Sequence, residues 1–173
     1  MEKILLIQNK HWKGEKYSGL IQRHILSTLL KKLRIKEVLV LLGIRRSGKS
    51  SIFKLLINHL SDKIDPAKIL YLNLDDPFFS EVCKDSKLLY SVIETAEKLT
   101  RSKIEYLFLD EVQNIKDWEK FVKSVYDAEH FAKIFITGSN SSLLKGTYAR
   151  LLSGRYVSDY VYPFSLKEIL EHN

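Results

Sequence analysis

Apolar residues along the chain fall into two kinds of run. Between residues 17 and 34, Ile21, Ile25, Leu29 and Leu33 recur at four-residue steps, the repeat of one helix face. Val38–Leu42 is instead unbroken, partly β-branched and stopped by Gly43, which predicts a strand buried on both faces. Ile52, Phe53, Leu56 and Leu60 form a second helical stripe, and Asp65-Pro66 reads as a turn. Ile69–Leu74 predicts a second strand, stopped by Asp75-Asp76-Pro77. Leu88, Leu89, Val92, Ile93, Ala96 and Leu99 mark a helix, and Ile104–Leu109 a third strand closed by Asp110-Glu111. Asp117 is placed to cap a helix bearing Trp118, Phe121, Val122 and Val125. Ala132–Thr137 predicts a fourth strand, 141–152 a short helix and Tyr156–Tyr162 a fifth strand, whose Ser158 and Asp159 suit a sheet edge. Ser165 followed by Glu168 reads as a capping box opening a last helix.

Strands alternating with helices imply an α/β fold: a parallel five-stranded sheet with helices on both faces, three layers in all. In such sheets ligands bind beyond the carboxyl ends of the strands. The polar residues gather there: Gly43 onward, Asp75-Asp76, Asp110-Glu111 and Ser139-Asn140.

A chain of 173 residues suits one domain and needs neither disulfides nor a structural metal to fold. Its longest apolar run near the core is five residues, far short of a membrane span, and no membrane partner is expected. The N-terminus lacks a signal-peptide apolar region, and the single Cys83 suits a reducing compartment, so a cytoplasmic location is expected. The net charge of +7 is uneven: residues 1–36 hold nine Lys/Arg against two acids, and the remainder is neutral. Such a segment can attract nucleic acid. It can equally be a solvated helix face, with Lys31, Lys32, Arg34 and Lys36 offsetting a helix C-terminal dipole.

Gly43-Ile44-Arg45-Arg46-Ser47-Gly48-Lys49-Ser50 matches the phosphate-loop pattern GxxxxGK[ST], between an apolar strand and an amphipathic helix as the motif requires. The glycines let the backbone approach phosphate oxygens, successive N–H groups form an anion nest, and the helix adds its positive end. Lys49 brings a mobile cation to the β- and γ-phosphates, and the Ser50 hydroxyl is a Mg²⁺ ligand. Ser51, in the same first turn, completes the binding set; Arg45 and Arg46 either touch phosphate or project into solvent.

Tyr106–Leu109 leads into two carboxylates. Asp110 pairs with Ser50 as an oxygen ligand of Mg²⁺, and Glu111 can take a proton from an attacking water or orient it. Asn140 can hold that water or contact the γ-phosphate, or serve as a cap. Arg155 either reaches a neighbouring subunit's nucleotide as a finger or lies on the surface at a turn. Asp75 and Asp76, also at a strand end, read as loop residues, with a catalytic role as the lesser alternative. Trp12 and Tyr17 are candidates for stacking on adenine, though packing is the commoner role. The five histidines show no metal-ligand spacing and no GxSxG elbow is present.

The stretches GIRRSGKSS, YLNLDDP, YLFLDEVQNIKDWEKFVKSVYD and ITGSNSSLLKGTYARLLSGR resemble the archaeal and bacterial ATPases of the AAA-like, signal-transduction-ATPase group. The likeness runs from about residue 20 to the end. It implies a sheet order 5-1-4-3-2, a sensor role for Asn140 and an arginine before the last core strand at Arg155. It also implies a P-loop ATPase domain over 17–173 behind a basic segment at 1–16. A further C-terminal domain is usual in the group and is expected to be absent here, so turnover by this chain alone is expected to be slow. The expected function is Mg²⁺-dependent binding and hydrolysis of ATP to ADP within a larger ATP-driven switch or machine, with self-association for Arg155 to act in trans. Two alternatives remain: a small-molecule kinase, for which no acceptor-binding insert is seen, and a nucleic-acid-binding module using nucleotide as a switch. A GTPase is disfavoured, because Asp62-Lys63-Ile64-Asp65 lacks the first residue of a guanine-reading element.

Overall fold

The computed structural model describes residues 1–139 and 152–170. Five parallel strands, β1 (Val38–Gly43), β2 (Ile69–Asn73), β3 (Tyr106–Asp110), β4 (Lys133–Ser139) and β5 (Tyr156–Tyr160), form one sheet in the order β2-β3-β4-β1-β5. This is the expected 5-1-4-3-2 order, and the polar β5 lies at an edge.

The two-residue period of each strand sorts its side chains between two cores. Val38, Val40 and Leu42 of β1, with Leu107, Leu109, Ile134 and Ile136, face one core, which α5 (Leu88–Thr100) and α6 (Trp118–Asp127) close. Leu39, Leu41, Phe108 and Phe135 face the other, beneath α2 (Ile25–Lys31) and α3 (Lys49–Ser61). There Phe108 and Phe135 stack with centroids 4.0 Å apart, and Phe53 of α3 meets Phe108 edge-on at 5.1 Å. All six residues of β1 are buried, as its unbroken apolar run requires. Among the described residues, three shorter helices, α1 (Glu2–Gln8), α4 (Ser80–Lys84) and α7 (Leu166–Leu170), and several single 3-10 turns join these elements.

Two local expectations need correction, and the helix expected over 141–152 falls, but for Leu152, outside the described residues. The helix expected over 17–34 begins only at Ile25. Gly19 sits at φ +67°, and the Asn58 side chain takes both Tyr17 backbone groups, at 2.9 Å and 2.8 Å, withdrawing them from a helix. Asp117 precedes α6 but does not cap it: it lies at φ +57° and pairs with Lys120 at 3.1 Å. The basic segment 1–16 packs onto the sheet. Leu5 is fully buried in the first core, and the chain then runs along the outer edge of β2. There Gln8 accepts from Asn73 N–H (2.9 Å), and Asn9 accepts from Tyr71 N–H (2.7 Å) and donates to its carbonyl (3.0 Å). Trp12 donates to the Ile69 carbonyl at 2.7 Å. Side-chain amides thus replace a neighbouring strand and shield an edge that would otherwise offer open hydrogen-bonding groups.

Candidate functional site

The strand order reverses at β1, which has β4 on one side and β5 on the other, so the crevice of an open α/β sheet lies at its carboxyl end. The phosphate-loop sequence leaves β1 at that point. Gly43 must be glycine for reasons of space: a Cβ there would lie 2.4 Å from the Val161 carbonyl oxygen and 2.8 Å from Ser47 Oγ. Gly48, at φ +94°, is the N-cap of α3 and provides no side-chain cap. The first N–H groups of that 13-residue helix therefore face the loop without intrahelical acceptors.

Lys49 is 3% exposed; its Nζ donates to the carbonyls of Gly43 (3.1 Å) and Ile44 (3.0 Å) and lies 3.9 Å from Glu111 Oε1. The lysine of the loop and the acid that follows β3 are thus brought together, with β4 between their strands. Asp110 is buried, and both its oxygens are held: Tyr71 Oη donates to Oδ2 at 2.8 Å and Thr137 Oγ1 to Oδ1. Burial, and then the adjacent Asp110 carboxylate, push the Tyr71 phenol far above its usual range, so it remains a donor. The same Thr137 hydroxyl accepts from Glu111 N–H at 2.9 Å. Glu111 sits at φ +57°, a conformation costly for a residue with a Cβ, and Gln113 Nε2 donates to its Oε2 at 2.5 Å. A cavity of about 470 Å³ lined by Arg45, Arg46, Asp75 and Glu111 opens beside the loop.

The donor set fits a polyphosphate. Ser47 Oγ is buried, belongs to the loop and has no hydrogen-bond partner among the described residues. A native protein seldom leaves a buried hydroxyl unsatisfied, and a phosphate oxygen is a suitable acceptor. Ser50 and Asp110 supply the oxygen donors a hard divalent ion prefers.

Other expected residues lie elsewhere. Asn140 falls outside the described residues. Arg155 is at the opposite end of the sheet: its carbonyl accepts from Val38 N–H at the start of β1, about 17 Å from the loop at the usual strand rise. Its guanidinium is held by Asp127 at 2.7 Å. Trp12 and Tyr17 are engaged in packing, with Tyr17 Oη donating to the Gln8 carbonyl at 2.6 Å. Asp76 caps a turn by accepting from Phe78 N–H, whereas Asp75 reaches the cavity. Three residues the sequence did not single out complete the site: Tyr71, Thr137 and Arg23, the last buried and donating to the Ser47 carbonyl at 3.0 Å. Tyr71 and Thr137 lie on strands already recognised, and their polarity inside buried runs was the available signal.

A family model described as an AAA domain matches residues 35–170. An uncharacterized protein of Haemophilus influenzae is 39% identical over 132 residues, covering 76% of this chain and 32% of its own length. An uncharacterized protein of Methanocaldococcus jannaschii is 32% identical over 141 residues, covering 81% and 30% respectively. The chain thus spans about a third of the curated relatives it matches. Among solved structures, Cdc6p from Pyrobaculum aerophilum superposes with a TM-score of 0.58 at 15% identity, over 90% of this chain and 50% of that one. C. elegans PCH-2 superposes with a TM-score of 0.51 at 17% identity, over 92% and 40%. These two share the fold. No helix among the described residues is long and apolar enough to cross a membrane. With a phosphate loop at the tip of β1, an Asp-Glu pair at the tip of β3 and a family match over most of its length, the chain belongs to the AAA domain family of P-loop ATPases.

Proposed function

We propose that this chain binds ATP with magnesium at the carboxyl end of β1 and hydrolyses it to ADP and phosphate. The observation that supports this most is the approach of Lys49 Nζ to Glu111 Oε1, 3.9 Å apart, beside a loop whose Ser47 hydroxyl has no hydrogen-bond partner among the described residues. In this reading the loop amides and Lys49 hold the phosphates. Ser50 and Asp110 would hold Mg²⁺, which when bound neutralises the phosphate oxygens. Tyr71 and Thr137 keep the Asp110 carboxylate oriented. Glu111 accepts a proton from the attacking water, or orients it, while Gln113 steadies its other oxygen.

Calorimetry with Mg-ATP, run beside a phosphate-release assay, tests these roles. Lys49→Ala loses affinity by tenfold or more, whereas Glu111→Gln keeps affinity and loses about 10²-fold or more in turnover. Equal loss of binding in both variants would refute the assignments. Phosphate release without an added acceptor separates hydrolysis from transfer to a small molecule. Arg155 faces away from its own site, so a catalytic role requires a second copy. Arg155→Ala then lowers turnover only at protein concentrations that support association; an effect independent of concentration rules that role out.

The resemblance to signal-transduction ATPases, with relatives about three times as long, supports a module within a larger ATP-driven switch. The nucleic-acid reading has weaker support, because Lys16, Arg23, Lys32 and Lys36 of the basic segment are already ion-paired.

A further inference from the structure

Arg23 is 5% exposed, and its planar fork is used in three directions. Nε donates to Glu168 Oε1 at 2.9 Å, one terminal nitrogen to the Ser47 carbonyl at 3.0 Å, and the other to the Tyr162 carbonyl at 2.7 Å. The guanidinium carbon lies 4.2 Å from the centre of the Phe164 ring. One side chain therefore joins the phosphate loop, the chain leaving β5 and α7.

We infer that Arg23 is a positioning residue for the phosphate loop, and that through it the Tyr162–Glu168 segment governs how firmly the loop grips nucleotide; this rests on the nucleotide reading above. The peptide linking Ser47 to Gly48 is trans, so its C=O and N–H point in opposite directions. Holding the Ser47 carbonyl against Arg23 turns the Gly48 N–H away from Arg23, to the side on which the loop receives phosphate. Gly48 also leaves room here: a Cβ would stand 3.0 Å from the guanidinium, a tight contact that would press on Arg23, in addition to the positive φ.

The other end of the link is equally well specified. Glu168 Oε1 accepts from Arg23 and from His24 N–H (3.1 Å), and Oε2 accepts from Ser165 N–H (2.9 Å) and its hydroxyl (3.1 Å). Burial alone would raise this carboxyl, but these donors outweigh it and bring it down to about 2. A buried ion pair is sustained by further hydrogen bonds to both partners, and here Glu168 accepts four while Arg23 donates in three directions. Glu168 is the buried residue of α7, whereas Leu166 and Leu170 are 72% and 67% exposed. The helix is thus fastened to the core through the same carboxylate that orients Arg23, and displacing the helix disturbs the loop.

Three variants of the full chain, Arg23→Lys, Glu168→Gln and Lys49→Ala, are compared with wild type by Mg-ADP calorimetry and by hydrogen exchange of residues 47–51 without nucleotide. Lysine keeps the charge but cannot make three directed bonds, so Arg23→Lys weakens ADP binding about tenfold and speeds loop exchange by a similar factor. Glu168→Gln, which leaves the loop sequence and Arg23 intact, does the same to about threefold. It serves alone if Arg23→Lys does not fold. Affinity or loop exchange unchanged in the folded variants, while Lys49→Ala loses binding, overturns the inference and leaves the nucleotide reading standing. A folded wild type that ignores Mg-ADP overturns the nucleotide reading and the grip with it.

Discussion

Thr137 joins the two acids of the site, because one hydroxyl donates to Asp110 and accepts from Glu111 N–H. Thr137→Val keeps the shape and removes both bonds. It should cost about 1–3 kcal/mol of stability, since two buried groups lose a partner, and lower turnover about tenfold while ATP affinity stays within threefold. Denaturant unfolding and phosphate release measure both, and a variant of unchanged turnover contradicts the positioning role. A second residue-scale effect is set by His11, whose imidazole burial lowers from 6.5 to about 4 despite the Ile69 carbonyl. The folded protein holds it neutral, so between these values the unfolded chain binds the extra proton. Stability from His11 is full above pH 6.5 and falls towards pH 4, by up to about 1.4 kcal/mol per pH unit. Urea unfolding across that range shows the slope, and His11→Gln reduces it. Lys49, Asp110 and Glu111 were legible because each belongs to a short contiguous motif. Thr137, Tyr71 and Arg23 were not, because they act on partners 27, 39 and up to 145 residues away.

At the scale of elements, strands were read well and the flanking polar segments poorly. A buried parallel strand declares itself by an unbroken apolar run, as β1 does, and the capping box at Ser165 and Glu168 formed as expected. The four-residue spacing of Ile21 and Ile25 continued a helix on paper through a stretch where Gly19 and Asn58 prevent one. The N-terminal segment was marked by charge, yet its structural work is done by Gln8, Asn9 and Trp12 on the β2 edge. Amides matched to strand carbonyls and N–H groups leave no periodic trace in a sequence. Asn9→Ala strips the Tyr71 backbone of both partners in a buried setting, which should cost about 1–3 kcal/mol for each group. Light scattering beside thermal unfolding checks this: the variant melts earlier and self-associates through the uncovered edge, whereas an unchanged melt contradicts the role.

For the whole molecule, the fold places the candidate site at one end of the sheet and Arg155 at the other. That polarity makes any use of Arg155 a property of an assembly, while the proposed nucleotide grip would belong to a single chain. The strand order was implied by family likeness alone, since an alternation of strands and helices is compatible with several orders. The central claim is that the loop after β1 is a polyphosphate cradle, and a crystal structure with magnesium and a non-hydrolysable ATP analogue tests it most directly. The account predicts phosphates against the amides of residues 44–50, with Lys49 Nζ transferred from the Gly43 and Ile44 carbonyls to the phosphate oxygens. A saturated crystal in which Lys49 still bonds those carbonyls, with the analogue elsewhere or absent, would contradict it.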